Sequence, residues 1–163
     1  MKDNIVKGSN LLSIVSEALL EAGNIALKFE NQNLNFSYKS PSQPVTDADI
    51  EINDFLRFFF KKNTPTFGWL SEESADDKSR LQCEYFWCVD PIDGTRSFIN
   101  KKPEYTISVA LIRKSKPILG IIYNPRTKEL FHAEKNKGAY CNRKKIFVNK
   151  KKELGEATLA ISK

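Results

Sequence analysis

The stretch that decides the fold of this chain is residues 85–98, which read YFWCVDPIDGTRSF. It opens as an apolar run with the aromatic and β-branched residues that favour a strand, and it breaks at an Asp-Pro dipeptide. Two acids, Asp90 and Asp93, stand three residues apart at this break, and Gly94-Thr95 follows at once. Hard cations such as Mg²⁺ prefer oxygen ligands, so a strand that ends in two carboxylates predicts a divalent-cation site.

A tight surface turn is the alternative interpretation of the same stretch. Asp-Pro and Asp-Gly are common turn dipeptides, and either dipeptide alone favours a turn over a site. The complete run is more specific, because Gly94-Thr95 can also offer backbone N–H groups and a hydroxyl to an anion. We therefore expect acids and anion-binding groups to meet at the end of one strand.

Length and composition, with 40% hydrophobic and 28% charged residues, predict one soluble, globular domain over residues 1–163. No apolar run is long enough to span a membrane, and the first nine residues lack the apolar core of a signal peptide. A cytoplasmic location is therefore expected. Three cysteines without a C-x-x-C motif predict reduced thiols.

The charge is distributed unevenly along the chain. Residues 1–93 hold 9 Lys and Arg against 15 Asp and Glu, a net charge of −6. Residues 94–163 hold 17 Lys and Arg against 5 Glu, a net charge of +12. The basic part could attract an anionic substrate or form a solvated surface. Its lysine-rich turns lack an aromatic platform, which argues against nucleic-acid binding.

Periodicity predicts two helices followed by a run of strands. Apolar residues at three- and four-residue spacing indicate helices over 9–30, with Ser9 as N-cap, and 47–62, which closes on three successive phenylalanines and therefore on a buried end. Residues 31–44 are expected to form a loop with an extended piece near 36–38. The predicted strands are 66–70, 85–89, 105–113, 116–123, 129–133, 139–140 and 146–148, with a two-residue turn at Lys114-Ser115. The fold class is therefore α+β, with two helices packed on one face of an antiparallel sheet.

Four segments occur in an order that resembles one known family. They are V-T-D-A-D at 45–49, L-S-E-E-S at 70–74, D-P-I-D-G-T at 90–95 and G-I-I-Y-N-P at 120–125. Together they are similar to the N-terminal part of the inositol monophosphatase superfamily of metal-dependent phosphatases. The resemblance implies the layered αβαβα fold of these enzymes, of which this chain would supply the first part.

The resemblance also implies a set of site residues and two or three Mg²⁺ ions in a complete enzyme. The implied metal ligands are Glu72, Asp90, the Ile92 carbonyl and Asp93. The implied catalytic residues are Thr95, which would orient the attacking water through a hydrogen bond to Asp49, together with Asp49 and Glu72. The implied substrate-binding residues are Glu72, Ile92, Asp93, Gly94 and Thr95.

Simpler roles are kept open beside these. Thr46 and Asp49 could do no more than cap the second helix, as the pair fits a capping box. Glu73 could be a supporting acid, and His132, the single histidine, is expected to be structural because it lies in a strand.

Details of the motifs favour one branch of the family. The run Thr-Arg-Ser-Phe at 95–98 and the run Trp-Leu-Ser-Glu-Glu at 69–73 are closer to CysQ-type 3'(2'),5'-bisphosphate nucleotidases. The expected reaction is hydrolysis of 3'(2')-phosphoadenosine 5'-phosphate to AMP and phosphate. Inositol-1-monophosphatase and histidinol-phosphate phosphatase are the alternatives. The expected partner is a small phosphorylated metabolite, and a homodimer is kept open.

One feature departs from the family pattern. The resemblance implies a further metal-binding Asp, in a W-D-x-x-A segment of a C-terminal α/β half, but no Asp follows Asp93 in this chain. That half is therefore expected to be missing here. An inactive fragment that serves as an interaction module is the alternative function of a different class.

Overall fold

The computed structural model describes residues 10–32, 34–41 and 43–158. Within these residues the chain forms three α-helices, nine β-strands and two short 3₁₀ segments. The helices are α1 (Asn10–Glu30), α2 (Asp47–Asn63) and α3 (Thr95–Ile99), and the 3₁₀ segments are Ser79–Gln82 and Leu154–Glu156. The strands are β1 (Phe36–Ser40), β2 (Gln43–Thr46), β3 (Gly68–Ser71), β4 (Tyr85–Asp93), β5 (Thr106–Arg113), β6 (Lys116–Asn124), β7 (Glu129–Glu134), β8 (Gly138–Cys141) and β9 (Lys144–Ile146).

Strands β3 to β9 lie side by side in chain order in one sheet, next to the separate hairpin β1-β2. Every neighbouring pair from β4 to β9 is antiparallel, as predicted. The pair β3-β4 is parallel, so the expectation of a wholly antiparallel sheet was wrong. The connection over residues 72–84 allows this pairing, because a parallel pair needs a long crossover rather than a hairpin turn.

Both long helices cover the same face of the sheet, as the α+β prediction required. Helix α1 packs on β5 and β6, α2 packs on β4, and the two helices contact each other. The alternate residues Ile107, Val109 and Leu111 of β5 are buried beneath them. This alternation places one row of each central strand in the core and the other row on the opposite face.

Helix α1 approaches the sheet closely at Gly23. A Cβ atom at this position would lie 2.5 Å from Cε1 of Tyr123 on β6. Glycine lowers helix propensity, and the close contact with the tyrosine ring explains why the helix carries it here.

Aromatic side chains fix α2 to β4. The Trp87 ring stacks on Phe60 with 4.4 Å between centroids, and its Nε1 donates to Oγ1 of Thr64 at 2.9 Å. The predicted buried end of α2 is thus confirmed for Phe60. It is wrong for Phe58, which is 72% exposed because it lies on the outer side of the helix.

Several local predictions can be compared with the structure. The turn at Lys114-Ser115 is confirmed, with both residues at positive φ between β5 and β6. The extended piece expected near 36–38 is confirmed as part of β1, whereas the expectation of a loop up to residue 44 is wrong because β1 pairs with β2 in a hairpin. The expected strand over 146–148 lies instead at Lys144–Ile146, since only these residues pair with β8. The predicted cap Ser9 lies outside the described residues.

The three cysteines are unpaired thiols, as predicted. His132 lies in β7 and stacks on Tyr140 with 5.1 Å between ring centroids. No helix among the described residues has both the length and the apolar character needed to cross a lipid bilayer.

Candidate metal centre

A β-bulge in β4 places Asp90 and Asp93 on the same face of the sheet. Asp90 lies opposite Ser108 of β5, and Asp93 lies opposite Thr106, so the register shifts by one residue between them. In a regular strand two residues three apart point to opposite faces. The extra residue at Pro91-Ile92 cancels that alternation, and the two carboxylates share the face that α1 and α2 leave open.

The parallel pairing of β3 with β4 brings Glu72 to the same edge. Ser71 ends β3 opposite Val89, and the backbone N–H of Glu72 donates to the Val89 carbonyl at 3.2 Å. Because carboxyl ends of parallel strands meet at one edge, Glu72 follows its strand beside Asp90. Its side chain is 53% exposed and can turn toward a ligand.

Asp90 sits in a strongly negative environment. Burial, followed by the charges of Glu72, Asp93, Asp49 and Glu73 in that order, raises the pKa of its carboxyl to about 7. The negative charges of these four acids therefore all repel the ionised Asp90 carboxylate. A bound cation would offset this repulsion.

Asp49 begins α2 and has one oxygen free for a further role. Its Oδ2 accepts from the backbone N–H of Thr46 at 2.7 Å and from the Thr46 hydroxyl at 2.6 Å, which confirms the predicted capping box. Its Oδ1 is buried and has no hydrogen-bond partner among the described residues. Burial raises the pKa of this carboxyl to about 6.

Gly94 turns the chain from β4 into α3. Its φ is +95°, and a Cβ atom there would lie 2.8 Å from the Glu104 carbonyl oxygen, so the turn needs glycine. The Thr95 hydroxyl donates to the Ile92 carbonyl at 3.1 Å. The direct link from Thr95 to Asp49 is therefore not formed in this structure, although α3 packs against β2, the strand that leads into α2.

Lys39 is a site residue that the sequence analysis missed. Its Nζ lies 2.5 Å from Oε2 of Glu73 and 3.9 Å from Oε1 of Glu72. The Glu73 side chain is only 4% exposed, so the predicted supporting acid is a buried partner of this lysine. The extended piece expected near 36–38 is part of β1, the strand that positions Lys39, but its sequence did not single out the lysine.

The donor set fits a hard cation in its chemistry. The converging groups are carboxylates and the Ile92 carbonyl, which are the oxygen ligands that Mg²⁺ accepts. Asp49, whose Oδ1 has no hydrogen-bond partner among the described residues, is close enough for its charge to raise the Asp90 pKa. Across residues 10–32, 34–41 and 43–158, no three Asp, Glu, His or Cys side chains are already gathered as a metal-binding group. Ligation would therefore require the exposed side chains of Glu72 and Asp93 to turn inward.

Comparison with known proteins identifies the family of this chain. Residues 8–163 match the sequence pattern of the Inositol monophosphatase family. The chain is 37% identical over 153 residues to an inositol-1-monophosphatase of Rhizobium meliloti, covering 93% of this chain and 57% of the relative. It is 31% identical to a 3'(2'),5'-bisphosphate nucleotidase CysQ of Aggregatibacter actinomycetemcomitans, covering 81% of this chain and 50% of the relative.

The solved structure of the extragenic suppressor protein suhB from Bartonella henselae has a similar fold. Its TM-score is 0.81 at 31% identity, over 88% of this chain and 56% of that protein. The chain thus spans about half the length of the curated relatives it matches. Because the family pattern covers nearly the whole sequence, this chain belongs to the inositol monophosphatase family.

Proposed function

We propose that this chain supplies the metal-binding half of a Mg²⁺-dependent phosphomonoesterase. The observation that carries the proposal is the bulge at Pro91-Ile92, which aligns Asp90 with Asp93 beside Glu72. Three acids at one strand edge repel one another and raise the pKa of Asp90. A turn with a purely structural role would gain nothing from this repulsion. A cation site does need the three acids.

Glu72, Asp90, Asp93 and the Ile92 carbonyl would hold Mg²⁺, with two or three ions in a complete enzyme. When bound, Mg²⁺ supplies Lewis-acid polarisation of phosphate oxygens and neutralises negative charge. Glu72, Ile92, Asp93, Gly94 and Thr95 would surround the phosphate. In this arrangement the basic residues after position 94 would favour the approach of an anion.

Thr95 and Asp49 have the proposed proton-handling role. The Thr95 hydroxyl would leave the Ile92 carbonyl and donate to Oδ1 of Asp49, whose buried lone pairs have no other partner among the described residues. The hydroxyl oxygen is then free to accept a hydrogen bond from the attacking water and so to orient it. With a pKa of about 6, the Asp49 carboxyl is mostly ionised near neutral pH and can accept this hydrogen bond.

The substrate class is a small phosphate monoester. The motif details favour 3'(2')-phosphoadenosine 5'-phosphate, with inositol 1-phosphate as the alternative and histidinol phosphate as a third compound. Relatives named for inositol phosphate and for the nucleotide both match this chain. Both compounds therefore belong in the same experiment.

Calorimetry with inorganic phosphate, in the presence and absence of Mg²⁺, tests the proposal on this chain. We expect phosphate to bind only with Mg²⁺, and Asp90→Asn to remove the binding. Glu51→Gln removes an exposed acid of α2 and should leave it intact. Phosphate binding of equal affinity with and without Mg²⁺, or in Asp90→Asn and the parent chain, would contradict the proposed site.

Phosphate-release assays with the three esters test the substrate. We expect little turnover by this chain, because the further metal ligand implied by the family pattern is not among its residues. Any release should favour the nucleotide over inositol 1-phosphate. A large preference for inositol 1-phosphate would overturn the nucleotidase assignment while leaving the metal site in place.

An interaction module is the second candidate function. The sheet face opposite α1 and α2 exposes Ile122, Phe131 and Ile146, which a partner could cover. Rapid Mg²⁺-dependent hydrolysis by this chain would exclude a purely non-catalytic role.

A further inference from the structure

The large sheet is wider than the two helices that cover it. Seven strands at about 4.8 Å spacing extend roughly 30 Å, whereas two helices side by side cover about 20 Å. Helix α1 packs on β5 and β6, so β7 and β8 project beyond it. A cavity of about 540 Å³ lies in the angle between α1 and these projecting strands.

The cavity has apolar walls on two sides. Leu12, Ser16 and Leu20 recur every four residues and form one row along α1, while Tyr123 and Leu130 line the sheet side. A volume of a few hundred Å³ with mostly apolar walls suits a small organic ligand. Leu20 is 48% exposed, so the wall is open to entry from solvent.

His132 is one of the lining residues and carries a buried ring nitrogen without a hydrogen-bond partner among the described residues. It pairs in register with Ile121, whose side chain is buried beneath the helices, so His132 points to the same face as α1. Its ring stacks almost parallel on Tyr140, at an interplanar angle of 8°, which fixes the ring plane. Its Nδ1 is buried and has no hydrogen-bond partner among the described residues, an arrangement that costs free energy.

Two cations, Lys128 and Arg143, line the same cavity, and none of its lining residues is an acid. Within the described part of the chain, neither side chain forms an ion pair. Asn142, in the turn between β8 and β9, is bonded to the segment that leads into β7. Its Nδ2 donates to the Lys128 carbonyl at 3.2 Å, and its Oδ1 accepts from the Leu130 N–H at 2.9 Å. The backbone segments that carry the two cations are therefore held together beside the pocket.

We propose that this cavity binds a small organic anion, with its apolar body between α1 and β7 and its charged group at Lys128 and Arg143. A phosphate and a carboxylate share the required chemistry, since both accept charge-assisted hydrogen bonds from these side chains. The cavity lies on the helix-covered face of the sheet, whereas Asp90 and Asp93 lie on the opposite face. It is therefore a site separate from the metal centre and independent of the proposed function.

Calorimetric titration of the full chain in Mg²⁺-free buffer, with four probes, tests this proposal. Phenyl phosphate and benzoate carry an anion on an apolar body, benzyl alcohol lacks the charge, and inorganic phosphate lacks the body. We expect both aromatic anions to bind and the other two to bind at least several-fold more weakly. Whichever aromatic anion binds more tightly identifies the anionic group of the natural ligand.

Matched variants locate the binding. Arg143→Ala and Lys128→Ala should each weaken binding of the aromatic anions by on the order of tenfold, whereas Lys150→Ala, in another basic segment, should not. Ser13 is an exposed lining residue, so Ser13→Glu should weaken binding by repulsion while the uncharged Ser13→Gln should not. Thermal melts check that all variants are folded.

Nuclear magnetic resonance supplies a second readout. The aromatic anions should shift the amide signals of His132 and Asn142 and leave those of Asp90 and Asp93 in place. Absence of binding, equal binding of benzyl alcohol, or unchanged affinity in Arg143→Ala, Lys128→Ala and Ser13→Glu would overturn the proposal.

Discussion

Asp90 lies opposite Ser108 and Asp93 lies opposite Thr106, so a three-residue step in β4 matches a two-residue step in β5. This mismatch puts both carboxylates on one face of the sheet. A regular strand over the same residues would place Asp93 on the opposite face, because side chains alternate along a strand. The acid pair thus depends on the backbone bulge as much as on the two aspartates.

Stability in metal-free buffer should fall as the pH rises from about 4 to about 7. The pKa of Asp90 is raised from 3.8 to about 7, and that of Asp49 from 3.8 to about 6, so the folded chain binds more protons than the unfolded chain in this window. Discounted for the partial exposure of Asp90, the loss should be about 1–3 kcal/mol. Urea unfolding with EDTA at several pH values measures it.

The control for this pH dependence is a pair of charge-removing variants. Asp90→Asn should make the profile shallower, because the carboxyl with the larger of the two shifts is gone, whereas Glu51→Gln should keep it. A stability that increases over the window, or an Asp90→Asn profile identical to that of the parent chain, would contradict the electrostatic description.

Gly94→Ala should destabilise the fold by about 1–3 kcal/mol, since it forces an alanine to positive φ and drives Cβ against the Glu104 carbonyl. Gly120→Ala is the matched control. No described atom lies within 4 Å of its Cβ position, so this variant should be neutral or slightly stabilising. Equal chemical-denaturation midpoints for the two variants would show that the Gly94 turn is not strained.

Lys39→Met should cost about 1–3 kcal/mol, because it leaves the buried carboxylate of Glu73 without its cation. Lys39→Arg should recover most of the loss. In a double-mutant cycle, Glu73→Gln combined with Lys39→Met should cost less than the sum of the single changes. Strict additivity would mean that the two side chains do not interact in solution.

Local sequence signals were sufficient for the elements that depend on near neighbours. The apolar spacing of α1 and α2, the Thr46-Asp49 cap and the Lys114-Ser115 turn each depend on contacts within a few residues. They were therefore readable from the chain itself.

Long-range pairing was not readable in this way. The parallel alignment of β3 with β4 depends on the path taken by residues 72–84, and no periodicity encodes that path. The hairpin that carries Lys39 was hidden by prolines at 41 and 44, which favour a loop interpretation. These two features determine how Glu72 and Lys39 reach the site, so the acids could be named from the motifs, whereas the strand pairing that brings Glu72 beside β4 could not be predicted.

Titration of the chain with Mg²⁺ at about pH 8, followed by calorimetry and by melting temperature, tests the metal centre most directly, since the acids are then ionised. Saturation at about ten times the dissociation constant should stabilise the fold by about 1.4 kcal/mol, which raises the melting temperature by roughly 3–6 °C. Asp90→Asn should abolish both signals, and Glu51→Gln should retain them. An unchanged melting temperature in the parent chain, or the same Mg²⁺ response in Asp90→Asn, would show that these acids do not form the cation site.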